Sequence, residues 1–158
     1  MTLMNADTGW TALNWRSLTE DDLEVGFQRE WDVRITYPLV AWYADLCGDP
    51  NPWYGVQGSP FGPPVAPPLL MSRLAARLTD SLGRMRGFLN TRNRTVTLAP
   101  TTVGMVARFR GRIDAKYQRR GRRYVRLVIE AHDVASGAAL LQEEKEFVIF
   151  PSPERDPP

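Results

Sequence analysis

A chain of 158 residues, 43% of them hydrophobic, can bury one sizeable core and matches the usual size of a single domain. A formal net charge of +2 with no basic arm argues against nucleic acid, and the single cysteine, Cys47, excludes an internal disulfide and a multi-cysteine zinc site. Apolar runs are broken by Arg, Asp or Pro well short of the ~20 residues a membrane span needs, and the opening MTLMNADTGW lacks the pattern of a signal peptide, so a cytoplasmic protein without cofactor or metal is expected.

Residues 1–19 show no sustained periodicity and read as an irregular arm carrying Trp10, Leu13 and Trp15. The acidic segment Thr19 to Gly26 turns into Phe27 to Thr36, where Phe27, Trp31, Val33 and Ile35 alternate with polar residues at the period of a half-buried strand. Pro38 suits the first turn of a helix along which Leu39, Val40, Trp42, Tyr43 and Leu46 recur until Gly48. A second, central helix is expected from the stripe Leu69, Leu70, Leu74, Leu78 and Leu82, ended by Gly83. Four β-rich runs follow, 86–98, 103–116, 123–135 and 138–150, and their succession predicts an antiparallel meander with turns at Gly121 and at Ser136-Gly137. The tail PSPERDPP cannot continue a sheet and is expected to fray, leaving one domain over 1–158.

Between the two helices lies the stretch on which the chain concentrates its turn chemistry, Tyr43 to Leu70. Its 28 residues hold seven of the thirteen prolines and four of the twelve glycines, a density that fixes turns and prevents regular hydrogen bonding. Loops this long inside compact domains are usually functional or disordered. Disorder is disfavoured, because Trp53, Tyr54, Phe61, Val65, Leu69 and Leu70 are interleaved with the prolines and call for burial.

Strand, helix, structured loop, helix and four long strands describe an α+β layer architecture, an antiparallel sheet wrapped around a long central helix. That is a hotdog arrangement. Here the residues also carry a resemblance: YADLCGDPNP, DLEVG and FGPPVAPPLL resemble the motifs of the MaoC-like hydratase/dehydratase family, particularly the subgroup whose loop ends in VAPP. The resemblance implies a hydro-lyase that adds water to an enoyl thioester or removes it from a 3-hydroxyacyl thioester, carried by coenzyme A or a carrier protein. It also implies pairing, as a homodimer or as a heteromer with a homologous chain.

In the family an Asp and a His stand five residues apart in D-x-N-P-x-H. Asp49 matches the Asp, and position 54 holds Tyr54 in place of His. The chemistry needs a base to take a proton from water and a donor at the α-carbon, so Asp49 is expected as base and Tyr54 as proton donor or water-positioning group. Asn51, Trp53, Phe61, Leu69 and Leu70 are the expected substrate-binding residues, with the Leu69 and Leu70 amides able to face a thioester oxygen at a helix start. A second departure is Ala66-Pro67 where catalytic members often carry His-Gly, because Pro67 has no N–H to offer.

Plainer readings accompany each of these. Asp49 and Asn51 also suit turn caps, and the leucine stripe is core before it is pocket. His132, the sole histidine, falls in a late strand beside a turn and reads as incidental. Lys116, Arg119, Arg120, Arg122, Arg123 and Arg126 form either a solvated hairpin or an attractor for coenzyme A phosphates or an acidic carrier protein. Two non-enzymatic functions fit the same residues: a non-catalytic hotdog subunit paired with a catalytic homologue, or a module binding an acyl or aromatic ligand between Trp42, Trp53 and Phe61.

Overall fold

The computed structural model describes residues 19–83 and 87–150. The arm through residue 18 and the PSPERDPP tail fall outside the described residues, as does the start of the run expected from residue 86.

Strand β1, Gln28–Arg34, sits inside the alternating run read from the sequence. Val33 is buried, and Trp31 stacks on Phe109 with ring centroids 5.4 Å apart. On the opposite face Asp32 takes two hydrogen bonds from Arg108, both 2.8 Å. Helix α1, Tyr37–Cys47, begins where the Thr36 hydroxyl accepts from the Leu39 N–H and Pro38 occupies the first turn. Gly48, at φ 62°, closes it in the left-handed conformation that glycine adopts without steric penalty.

The central helix departs from expectation. Two shorter pieces, α2 at Pro68–Ala75 and α3 at Arg77–Leu82, meet at Ala76, where ψ relaxes to −13°. Hydroxyl competition accounts for the break: Thr79 Oγ1 donates to the Ala76 carbonyl at 2.6 Å and Ser81 Oγ to the Leu78 carbonyl at 2.8 Å, and such back-bonding bends helices. The leucine stripe still faces inward, since Leu70, Leu74 and Leu78 are all buried. Leu78 packs so closely on β3 that a Cβ at Gly111 would lie 2.8 Å from its Cδ2.

The remaining strands are β2 (Phe88–Thr97), β3 (Val106–Arg119), β4 (Arg122–Asp133) and β5 (Ala139–Ile149). All pairings are antiparallel, in the order β1-β3-β4-β5-β2. Only β3, β4 and β5 form a meander; β2 lies on the free edge of β5, which corrects the four-strand meander. The β3–β4 hairpin is a two-residue turn with Arg120 at φ 51° and Gly121 at φ 75°, the signature that matches the sheet's twist. Extra residues at Thr91 on β2, Asp114 on β3 and Leu140 on β5 shift the register and bend the sheet around the helices. Its concave face presents Ala107, Phe109, Ile113, Val125, Leu127, Ile129, Ala131 and Leu141 to α2 and α3, and these form the core.

Because β2 and β3 stand on opposite sides of β4 and β5, residues 98–105 must cross the sheet's end to join them. This overpass docks on the proline-rich loop: Ala66 N–H donates to Thr101 O at 2.7 Å, Val103 N–H to Pro64 O at 2.8 Å, and Val65 bridges Thr102.

Candidate functional site

The site begins at the end of α1. Past Gly48 the Asp49 N–H returns to Ala44 O at 3.0 Å, which aims the chain away from the helix axis. Two Asx turns follow in succession. Asp49 Oδ1 accepts from the Asn51 N–H at 3.2 Å, and Asn51 Oδ1 accepts from the Trp53 N–H at 3.0 Å, starting a single 3-10 turn over Pro52–Tyr54. The capping roles are therefore real for both residues. They also have a geometric consequence, because this turn buries Tyr54 and leaves Asp49 exposed beside it.

The two side chains act on one another. Burial raises the pKa of the Tyr54 hydroxyl above its ordinary 10.0, and the Asp49 carboxylate adds to the rise by its charge and as hydrogen-bond acceptor, while Asn51 opposes it. Tyr54 is thus neutral at physiological pH and keeps a hydrogen to donate. Cys47, an exposed free thiol, bears on both Tyr54 and Tyr43, and Arg73 on α2 also acts on Tyr43. Tyr43 is itself pushed up by burial first and then by Cys47.

Asn51 and Tyr54 open onto a groove of 340 Å³ walled by Trp53, Phe61, Val65, Ala66, Pro68 and Met71 on one side and by Thr97 to Thr101 on the other. Trp53 and Phe61 meet edge to face, 6.1 Å between centroids, and both stay more than 40% exposed, contrary to the expectation that they bury. Their loop is held by its own bonds: Ser59 and Gly62 exchange two backbone hydrogen bonds of 2.9 Å, and Ser59 Oγ donates to Pro63 O at 2.8 Å. Asn51, Trp53, Tyr54 and Phe61 thus line one groove.

Leu69 and Leu70 do not join them. Leu69 points to solvent, while Leu70 is in the core with its N–H donated to Pro67 O at 2.9 Å. Pro67 and Pro68 have no N–H, and that of Ala66 is already bonded, so the Leu69 N–H alone is left for an incoming oxygen at the start of α2. Trp42 lies on α1 against Tyr43 and is not among the groove-lining residues. His132 sits on β4 opposite Arg108, in the body of the sheet.

The basic hairpin is at the wrong end of the sheet to serve this groove. Arg119, Arg120, Arg122 and Arg123 cluster at the β3–β4 turn, whereas the groove wall begins at Thr97, level with Phe109 of β3 through Leu141 and Ala131. Ten residues of β3, from Phe109 to Arg119, separate the two levels, which is about 33 Å along the strand.

The wall from Thr97 to Thr101, with Val65, Ala66, Pro68 and Met71, was not foreseen from the sequence. The signal available was length: the eight residues between β2 and β3 contrast with the two-residue turn between β3 and β4.

No family model matches the sequence, and no curated protein matches it significantly. Among solved structures, the (R)-hydratase PhaJ1 from Pseudomonas aeruginosa superposes with a TM-score of 0.68 at 19% identity, over 86% of this chain and 91% of that one. A MaoC-like dehydratase from Rhodospirillum rubrum gives 0.67 at 19% identity, over 86% and 99% of the two chains. The HadBC (3R-hydroxyacyl-ACP dehydratase) complex from Mycobacterium tuberculosis gives 0.65 at 15% identity, over 77% and 94%. The chain shares the hotdog fold of these proteins.

Proposed function

We propose that the chain is a MaoC-like hydratase/dehydratase, a hydro-lyase acting on an acyl thioester, with Asp49 as base and Tyr54 as proton donor. The observation that carries this reading is Tyr54 in the lining of an apolar groove, with the Asp49 carboxylate acting on it from the Asx turn two residues before Asn51. Structural likeness to an (R)-hydratase and to dehydratases supports the reaction class.

In the hydration direction Asp49 takes a proton from water as its oxygen bonds to the β-carbon. The electron pair of the carbon–carbon double bond moves to the α-carbon, with charge shared by the thioester oxygen, and the α-carbon takes the Tyr54 proton. A phenolate is a far stronger base than a carboxylate, so the proton on Asp49 returns to Tyr54 and both groups are restored. Dehydration is the reverse.

A second reading is favoured by one feature, the Pro67-Pro68 start of α2, which removes two backbone donors where charge develops. On that reading the chain is a non-catalytic hotdog subunit of a heteromer, as the HadBC complex exemplifies for another protein. A panel of 2-enoyl and 3-hydroxyacyl thioesters, on coenzyme A and on carrier protein, separates the two by absorbance. Turnover by the purified chain supports the enzyme. An inert chain that confers activity on a homologous hotdog partner supports the subunit.

A further inference from the structure

The basic hairpin takes no part in the chemistry above, and it departs from what a solvated turn needs. Among the described residues Arg120 is the only one other than glycine at positive φ, 51°, a conformation that Gly or Asn adopts more readily. Arg119 and Arg122 stand directly opposite one another in the last pair of β3 and β4, where like charges repel. Both choices are locally unfavourable. Such departures are expected where function overrides stability.

Four of the six cations here are committed elsewhere. Lys116 donates to the Glu20 carbonyl at 3.0 Å, Arg123 pairs with the Glu20 carboxylate, and Arg126 donates to Asp114 at 2.7 Å. Arg119 donates to Glu146 at 3.0 Å and lies over the Tyr124 ring, 4.6 Å from its centroid, while Tyr117 stacks on Tyr124 at 5.4 Å. Arg120 and Arg122 make no side-chain hydrogen bond or ion pair among the described residues. Val125, Leu127 and Ile129 belong to the core, so the alternation of β4 places Arg122 and Tyr124 on the convex face. Arg119, Arg120, Arg122 and Tyr124 line a hollow of 540 Å³ there, within the usual range of small-molecule sites. Its three guanidiniums share one carboxylate, Glu146, which leaves two positive charges unmatched.

We propose that Arg119, Arg120 and Arg122 form a binding site for a phosphate monoester on a small molecule. A monoester carries a charge of about −1.5 to −2 near pH 7, and its oxygens match the fork of a guanidinium. A carboxylate or a phosphodiester brings a single charge and leaves the surplus half matched. Arg120 and Arg122 have their donors free for the phosphate, and Arg119, braced by Tyr124 and Glu146, adds a fixed charge beside them. The monoester belongs either to a free metabolite or to coenzyme A, which carries one on its ribose. The site is independent of how the groove is read.

The test is calorimetric titration of the intact protein with adenosine monophosphate and with cyclic adenosine monophosphate, a monoester and a diester of the same nucleoside. The expected result is a preference for the monoester of roughly tenfold or more, falling to about twofold or less in the double variant Arg120→Asn, Arg122→Gln. That variant is expected to fold, because neither side chain has a partner and Asn tolerates positive φ. A control of equal charge, Arg34→Gln with Arg94→Gln, removes two arginines away from the hairpin and should keep the preference. Equal affinity for the two nucleotides, or binding of neither, overturns the proposal without need of a variant. A preference unchanged in the hairpin variant, or lost equally in the control, also overturns it. Coenzyme A against dephospho-coenzyme A then separates the sources. A gap that disappears in the hairpin variant assigns the monoester to the substrate's carrier, and equal affinity assigns it to a free phosphate ester; the site stands in both cases.

Discussion

The Asp49 side chain does two jobs, and one substitution separates them. Asparagine keeps an oxygen to accept the Asn51 N–H but cannot take a proton from water, so Asp49→Asn is expected to abolish turnover with the melting temperature nearly unchanged. Tyr54→Phe removes one donor and leaves the base, and a smaller loss in kcat of roughly 10–1000-fold is expected. Full activity in Asp49→Asn would remove the carboxylate from the mechanism. A different residue contributes to stability that acid removes. Glu146 on β5 accepts from the Tyr117 hydroxyl, from Thr91 Oγ1 at 3.2 Å and from Arg119 at 3.0 Å. Its carboxyl is held below the ordinary 4.5, first by Tyr117, against burial and with help from Arg119. A depressed carboxylate pKa contributes stability that is present above the unfolded value and lost as pH falls through the folded one. Denaturant titrations should therefore show wild type more stable than Glu146→Gln at neutral pH, with the gap closing below pH about 4.5. A gap independent of pH would assign the loss to packing instead.

At the scale of elements, the helix-to-sheet contact is set by one glycine. Leu78 of α3 occupies the space a side chain at position 111 would take, and it is 1% exposed. Leu78→Ala and Leu74→Ala are each expected to destabilise by about 2–5 kcal/mol, the usual cost of emptying a buried leucine site. Gly111→Val should destabilise comparably by forcing Leu78 out of place. Losses below about 0.5 kcal/mol in melts would show that the helix does not pack there. These contacts also mark how far the sequence could be read. Periodicity and turn residues located β1, α1 and the hairpins at Gly121 and Ser136-Gly137, because those signals are local. The edge position of β2 was not legible, since strand pairing 48 residues apart, as between Thr95 and Glu143, leaves no local trace. The same holds for the site. Asp49 and Tyr54 were singled out by the resemblance to D-x-N-P-x-H, whereas the Thr97–Thr101 wall exists only because the overpass crosses the sheet. The break at Ala76 arises from hydroxyls that also occur in unbroken helices.

For the whole molecule, the sheet has two open edges, and they are not alike. Strand β1 presents Arg29, Glu30, Asp32 and Arg34 within seven residues, the charged composition that blunts an edge. Strand β2 is ten residues long, has no proline or acidic residue, and holds only Arg92 and Arg94 as charges. These two arginines stand opposite Glu146 and Glu144 of β5, which offsets their repulsion of another copy. The β2 edge is therefore the one expected to pair, with a second copy or a homologous hotdog chain. Antiparallel pairing about a twofold axis turns the partner end for end. That arrangement brings the partner's basic hairpin to the end of the assembly where this chain's groove opens, which no single chain achieves. Light scattering at micromolar concentration should give about twice the chain mass of 17.9 kDa, or the summed mass when a homologous chain is the preferred partner. A monomer mass under both conditions would leave β2 an unprotected ten-residue edge, and would remove the arrangement by which the hairpin and the groove come to the same end.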